Sequence, residues 1–248
     1  YEVIKMTNPF PNSTGMICDH KCQTKCTRIN YDSPLLIREI KRFITEHHNS
    51  DKGTKPSDTI SVSNGKKVSI IGAGPSGLSC AYFLKKAGFD IEIFEAKDSA
   101  GGMVSAAVPK FRLPDEAIEI DTEIIRSLGV VIHFGKKVDS ELFYELQEGS
   151  DYIYIAAGAQ DAYKLNIEGS DHENVLDPLE FLYKVKDNAK GDFGKNILVI
   201  GGGNTAMDTV RTAFRMTGDK GKVNLVYRRT IKQMPAEYKE IQDVIDEG

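Results

Sequence analysis

One pattern constrains this chain more than any other, and it occurs twice: a short strand-like apolar run, a glycine-rich turn, then an amphipathic helical stretch. KVSII (67–71) runs into GAGPSG (72–77), and NILVI (196–200) runs into GGGNTA (201–206). In the first copy Gly72 makes the tight turn, Gly74 lets the backbone approach a pyrophosphate, and Gly77 lets helix and strand pack closely. Pro75 and Ser76 complete the turn, and the helix after it offers a phosphate free N–H groups and a positive dipole end. The next strand, IEIF (91–94), ends in Glu95, 23 residues after Gly72, where a carboxylate can accept hydrogen bonds from both hydroxyls of a ribose. A glycine turn arising for other reasons would not bring turn, helix, strand and acid in this order and spacing.

The second copy differs at the strand end. Gly201, Gly203 and Ala206 form a GxGxxA turn, with Asn204 expected as helix N-cap and Thr205 beside it. The strand VNLVY (223–227) then ends in Arg228 and Arg229, with Arg228 27 residues after Gly201. A carboxylate there would repel a 2′-phosphate, whereas a guanidinium fork binds it with paired charge-assisted hydrogen bonds. The pair leaves two readings, a solvated strand end or a 2′-phosphate site, and the second would make NADPH rather than NADH the expected donor.

Between and after these motifs, strand and helix patterns alternate: helices over 115–128, near Leu142, to about Met216 and from Pro235, and strands VVIHF (130–134) and YIYIA (152–156). Alternation of this kind implies parallel sheets and an α/β fold. The two turns lie 129 residues apart, too far for a solenoid repeat and suited to two related domains. The expected organisation is a helical module (1–50), a polar linker (51–64), a first nucleotide-binding domain (65–165), and a second (166–248) that lacks its remaining strands. The opening on Tyr1 and the stop at Gly248 suggest an excerpt of a larger protein.

The net charge of −4 gives no reason to expect nucleic acid as a partner. No apolar run approaches the roughly 18 residues needed to span a bilayer, and the first residues carry no signal pattern, so the chain reads as cytoplasmic and independent of membranes.

The helical module holds turn signals (NPFPNSTG), three cysteines, and LLIREIKRFITEHH, in which Leu36, Ile40, Phe43 and Ile44 recur at helical spacing behind Pro34. Cys18, Cys22 and Cys26 are four apart, and on a helix would stack their thiolates on one face. In an intracellular protein such a cluster points to metal chemistry before disulfides, with iron-sulfur or zinc both open. Cys80, mid-helix in the first βαβ unit, reads as a small core residue.

At this point a resemblance becomes specific. GAGPSGLSCAYFLKKAGFDIEIFEAKDSAGGMVSAAVPKFRLP resembles the flavin domain of the glutamate synthase small-subunit family, which recurs in the N-terminal half of dihydropyrimidine dehydrogenase and in related multidomain reductases. The resemblance implies two Rossmann-like domains of glutathione-reductase type, with FAD in the first. It places Ala96, Gly101, Gly102 and Met103 beside the flavin's diphosphate and ribityl chain, and Val108, Pro109 and Phe111 beside its ring; Ala107 stands where relatives usually carry Gly. The stretch Ala156–Ala159 resembles the family's second nucleotide signature, which adds Ala157 and Gly158. VIGGGNTAMDTVRTAFRMTG and VYRRTIKQMPAEYKEI resemble its pyridine-nucleotide domain, Asp208 included.

NPFPNSTGMICDHKCQTKC resembles the cluster-binding module that precedes the flavin domain. In the family, part of the ligand set lies further upstream, and Lys41 stands where relatives carry a Glu or Gln. A four-iron cluster on Cys18, Cys22 and Cys26 is therefore expected only in a longer chain or assembly.

The implied activity passes hydride from NADPH to FAD and electrons onward to iron-sulfur centres, further domains or a partner subunit. The flavin carries such chemistry, so no catalytic acid or base is expected. The alternative is a non-catalytic nucleotide-binding or assembly module of a larger reductase. A disulfide reductase would need a CxxC pair beside the flavin, and after residue 26 only Cys80 remains.

Overall fold

The computed structural model describes residues 1–50, 60–160, 165–187, 193–218 and 221–248. They form two compact units, residues 1–105 with 110–158, and residues 106–109 with 159–248. Most of the expected linker (51–59), and residues 161–164 near the expected domain boundary, lie outside the described residues.

The first unit contains helices α1 (Glu2–Lys5), α2 (Pro11–Ile17), α3 (Ile37–Ser50), α4 (Pro75–Lys86), α5 (Gly102–Ala106), α6 (Asp115–Ser127) and α7 (Ser140–Gly149). Its strands β1 (Lys67–Ile71), β2 (Asp90–Phe94), β3 (Val131–His133) and β4 (Tyr152–Ile155) form a parallel sheet in the order β3-β2-β1-β4. β1 is central, with Ile70 opposite Ile93 on one side and Tyr154 on the other. Its middle residues Val68, Ser69 and Ile70 are all buried, as expected for a parallel strand covered on both faces. α4 lays Leu78, Ala81 and Tyr82 on this sheet, and Gly88 in left-handed conformation ends it.

Two local expectations are corrected. NPFPNSTG reads as turns, but its second half is α2, with Pro11 at the first helical position. Seven residues are too few for a stable isolated helix. The decisive partner is Asp121 of α6, which is fully buried. Its Oδ1 accepts from Asn12 N (3.2 Å) and Asn12 Nδ2 (2.8 Å), and its Oδ2 from Ser13 N (2.8 Å) and Ser13 Oγ (2.7 Å). A carboxylate 108 residues away in sequence thus caps α2, which no local signal announces.

The second correction concerns which side of α3 is covered. The expected apolar positions Leu36, Ile40 and Phe43 are exposed, while Thr45 is buried, with Lys41, Ile44 and His48 half-buried. α3 instead packs on α2, where a Cβ at Gly15 would lie 3.1 Å from Arg42 Cα, and Asn49 donates to Asn12 Oδ1 at 2.7 Å.

The second unit comprises α8 (Pro178–Lys186), β5 (Asn196–Ile200), α9 (Asn204–Thr217), β6 (Lys222–Val226) and α10 (Tyr238–Glu247). β5 and β6 are parallel and in register from Asn196 with Lys222 to Ile200 with Val226. Their inner residues Val199, Val223 and Leu225 pack with Met207 and Val210 of α9 and Ile241 of α10. α8 was not anticipated, although its start carries a full signal: Asp177 accepts from Leu179 N and Glu180 N, and Pro178 follows it. None of the described helices is long and apolar enough to cross a membrane.

Candidate nucleotide-binding sites

After β1 the chain reverses at Gly72 with φ +106°, and a Cβ there would lie 2.4 Å from the Ala156 carbonyl oxygen. A Cβ at Gly77 would lie 1.9 Å from the Gly72 carbonyl oxygen, so glycine is what lets α4 begin this close to the strand end. Gly74 precedes α4, and no side chain caps the helix, which leaves its first amides available to an anion. Gly101 and Gly102 close against this turn. Gly101 N donates to Ala73 O at 2.8 Å, and a Cβ on Gly102 would lie 2.9 Å from Gly74 Cα.

Glu95, 8% exposed, stands at the end of β2 as its spacing predicts. Its Oε2 accepts from Ala73 N at 2.7 Å and its Oε1 from Lys97 N at 2.9 Å, a role the sequence does not announce. Each carboxylate oxygen retains a second acceptor direction, so a ribose hydroxyl can still be taken. Pro75 and Ser76 are exposed on the first turn of α4, Ser76 Oγ lying 3.0 Å from the Tyr154 hydroxyl. Ala96 is exposed just past Glu95, Met103 is half-buried in α5, and Ala157 and Gly158 are exposed beyond β4.

The structure thus brings Gly72, Gly74, Gly77, Glu95, Gly101, Gly102 and the end of β4 around one turn. A cradle of backbone and missing side chains fits the diphosphate of a dinucleotide. Val108 and Pro109 group with the second unit, where Lys186 Nζ donates to Val108 O at 2.8 Å; Phe111, 38% exposed, groups with the first.

At the second turn a Cβ on Gly201 would lie 3.0 Å from Ala206 Cβ, and no other atom lies within 4 Å of one on Gly203. Asn204 is not the N-cap: Gly203 occupies that position without a side-chain cap, and Asn204 begins α9. Its Oδ1 accepts from Glu237 N at 2.8 Å, because the segment before α10 folds back over the turn. Thr205 is exposed, while Ala206 and Asp208 are buried in α9. Arg228 and Arg229 follow β6, both exposed, and among the described residues neither guanidinium has a hydrogen bond or ion pair.

The cysteines do not share a helix face. Cys18 caps the end of α2 in extended conformation, Cys22 precedes the 3₁₀ turn Gln23–Lys25, and Cys26 is again extended. His20 breaks the run with φ +52°. Burial holds the Lys41 ammonium below its ordinary range, which the nearby Cys18 and Cys22 only partly offset. Among the described residues no three His, Cys, Asp or Glu side chains are arranged to hold a metal ion, so the site does not fit an iron-sulfur cluster as it stands. Cys80 is half-buried against the sheet core, and burial pushes its thiol up.

Comparison with known proteins places these sites in context. Residues 66–247 match the family model of pyridine nucleotide-disulphide oxidoreductases, and residues 1–53 that of dihydropyrimidine dehydrogenase domain II, 4Fe-4S cluster. The chain is 36% identical over 247 residues to the putative oxidoreductase YgfK of Escherichia coli, covering 100% of this chain and 24% of that protein. It is 30% identical over 264 residues to the glutamate synthase [NADPH] small chain of Azospirillum brasilense, covering 100% of this chain and 54% of that one, in agreement with the resemblance read from the motifs. Among solved structures, Mycobacterium tuberculosis FprA in complex with NADPH superposes with a TM-score of 0.64 at 23% identity, covering 73% of this chain and 47% of that one. The α/β fold with parallel sheets is shared. The chain thus spans between about a quarter and about half of the length of these relatives.

Proposed function

Because the chain belongs to the pyridine nucleotide-disulphide oxidoreductase family, we propose that it is a flavoprotein reductase module with two Rossmann-like domains, FAD in the first unit and NADPH in the second. The observation that carries this reading is the charge at the two strand tips, a buried Glu95 after the first turn and exposed Arg228 and Arg229 after the second. FAD, when bound, accepts hydride and releases electrons singly, so the chain's part is to bind and orient.

Gly72, Gly74, Gly77, Gly101 and Gly102 would admit the diphosphate, the α4 amides would hold it, and Glu95 would take the ribose. Ala96, Met103, Val108, Pro109, Phe111, Ala157 and Gly158 are assigned to the flavin from the family resemblance. In the second unit Gly201, Gly203, Asn204, Thr205 and Ala206 would receive the NADPH diphosphate, and Arg228 and Arg229 its 2′-phosphate. Electrons would leave for further domains or a partner subunit. A cytoplasmic location is part of the same reading, supported by four free cysteines.

The test is anaerobic reduction of bound flavin by NADPH and by NADH, in wild type and in an Arg228→Leu, Arg229→Leu double variant. Losing a charge-assisted hydrogen bond should weaken NADPH binding about ten- to a hundred-fold and leave NADH nearly untouched. Equal loss with both nucleotides would make the arginines structural. Tight nucleotide binding without any flavin reduction would favour a binding or assembly module.

A further inference from the structure

The loop that carries the two arginines is tied to the glycine turn at several points. Tyr227, the first residue after β6, lays its ring against Gly202, where a Cβ would lie 2.7 Å from Cδ2. Its hydroxyl donates to Gln233 O at 3.0 Å across the loop. Between them the 3₁₀ turn Ile231–Gln233 is closed by a capping box of Thr230 and Gln233. The far end returns to the turn, Ala236 N donating to Gly202 O at 3.0 Å and Glu237 N to Asn204 Oδ1 at 2.8 Å.

From this geometry we infer that Asn204 and Tyr227 are positioning residues that lock the arginine loop onto the dinucleotide turn and so set the preference for a 2′-phosphorylated nucleotide. The inference rests on the reading of Arg228 and Arg229 given above. A long, exposed guanidinium side chain gains affinity only in so far as its ordering cost has been met before the ligand arrives. A loop free at either end would leave both arginines to be ordered by the ligand. Tied at Gly202 and Asn204, it holds their backbone at a fixed distance from the turn that receives the diphosphate. Loss of a tie should therefore act on recognition of the 2′-phosphate and spare the diphosphate.

The experiment titrates the whole chain with 2′,5′-ADP and with 5′-ADP, two probes that differ in where the second phosphate sits and need no electron transfer. Variants are Tyr227→Phe and the pair Glu237→Pro and Glu237→Ala. Glu237 has φ −61°, which proline accepts, so Glu237→Pro removes the N–H that Asn204 receives, whereas Glu237→Ala keeps it. Glu237→Pro should bind 2′,5′-ADP about ten-fold more weakly, with 5′-ADP changed by less than about two-fold, and Tyr227→Phe should follow in the same direction. Glu237→Ala should match wild type.

A wild type that does not prefer 2′,5′-ADP overturns the arginine reading, and the inference with it. A wild type with that preference, retained in Tyr227→Phe and Glu237→Pro, overturns the inference alone. Equal loss of both probes in Glu237→Pro does so too, since the tie would then act on the turn itself. If Glu237→Pro fails to fold, Tyr227→Phe decides.

Discussion

Both carboxylate oxygens of Glu95 receive a backbone N–H, from Ala73 inside the glycine turn and from Lys97 beyond the strand. The residue that would hold the ribose therefore also holds the turn that would hold the diphosphate. Glu95→Gln keeps one acceptor but turns an amide NH₂ toward a backbone donor. It should lower FAD affinity about ten-fold or more and reduce the stability of the flavin-free protein by about 1–3 kcal/mol. FAD titration and urea unfolding of the flavin-free protein check the two effects. Unchanged stability with weaker FAD would reduce Glu95 to a ribose ligand, and unchanged FAD affinity would remove it from the site.

The same residues show what a sequence makes legible. Gly72, Gly77 and Glu95 were identified because turn geometry and strand length fix their spacing locally. The second partnership of Glu95 spans 22 residues and that of Asn204 spans 33, and no periodicity encodes either. Asn204 has the chemistry of an N-cap, so only the returning backbone of Glu237 shows that its side chain is committed elsewhere.

Among the elements, α2 and the α9–α10 pair depend most on distant charge. Asp121→Ala would leave the α2 amides and the Asn12 and Ser13 side chains without their acceptor, and should cost about 2–4 kcal/mol in thermal or urea unfolding. A loss below about 0.5 kcal/mol would mean that α2 finds other caps. In the second unit Arg211 of α9, 9% exposed, pairs with Glu240, Asp243 and Glu247 of α10, and Arg215 also reaches Glu247 at 2.6 Å.

The Arg215 hydrogen bond, with Arg211 behind it, holds the Glu247 carboxyl down to about 2 from an ordinary 4.5. A depressed carboxylate stabilises the fold above its ordinary value, and the contribution fades as pH falls from about 4.5 toward about 2. Glu247 is partly exposed, so screening holds this to about 1–2 kcal/mol. Glu247→Gln should remove that part of the acid dependence, seen as a flatter plot of unfolding midpoint against pH. An unchanged plot would assign the acid sensitivity to other carboxylates. Local signals do not suffice at every element start, since α8 carried one in Asp177 and Pro178 and was still missed. α2 was not, because its cap comes from α6.

At the scale of the whole chain, the two glycine turns made both parallel sheets legible, while the covering of their faces was not. The outward residues of β5 and β6, Leu198 at 59%, Ile200 at 50% and Val226 at 46% exposure, have the apolar character that parallel sheets normally keep covered on both faces. The cysteine module poses the same question in chemical form. Residues 1–53 match a 4Fe-4S domain model, yet Cys18 and Cys26 sit in extended segments on either side of a 3₁₀ turn, and Lys41, a cation that cannot ligate iron, lies beside Cys18 and Cys22.

A four-iron cluster normally needs four ligands, most often thiolates, and this segment offers three in separate local conformations. This chain, purified anaerobically, should therefore carry far less than one cluster's worth of iron and acid-labile sulfide. Lys41→Cys adds a fourth thiol next to Cys18 and Cys22, and should raise both toward stoichiometry after reconstitution with iron and sulfide. Stoichiometric iron and sulfide in the wild-type chain would overturn this. It would bring in a non-cysteine ligand, for which His20, whose Nε2 is buried with no hydrogen-bond partner among the described residues, is the first residue to replace.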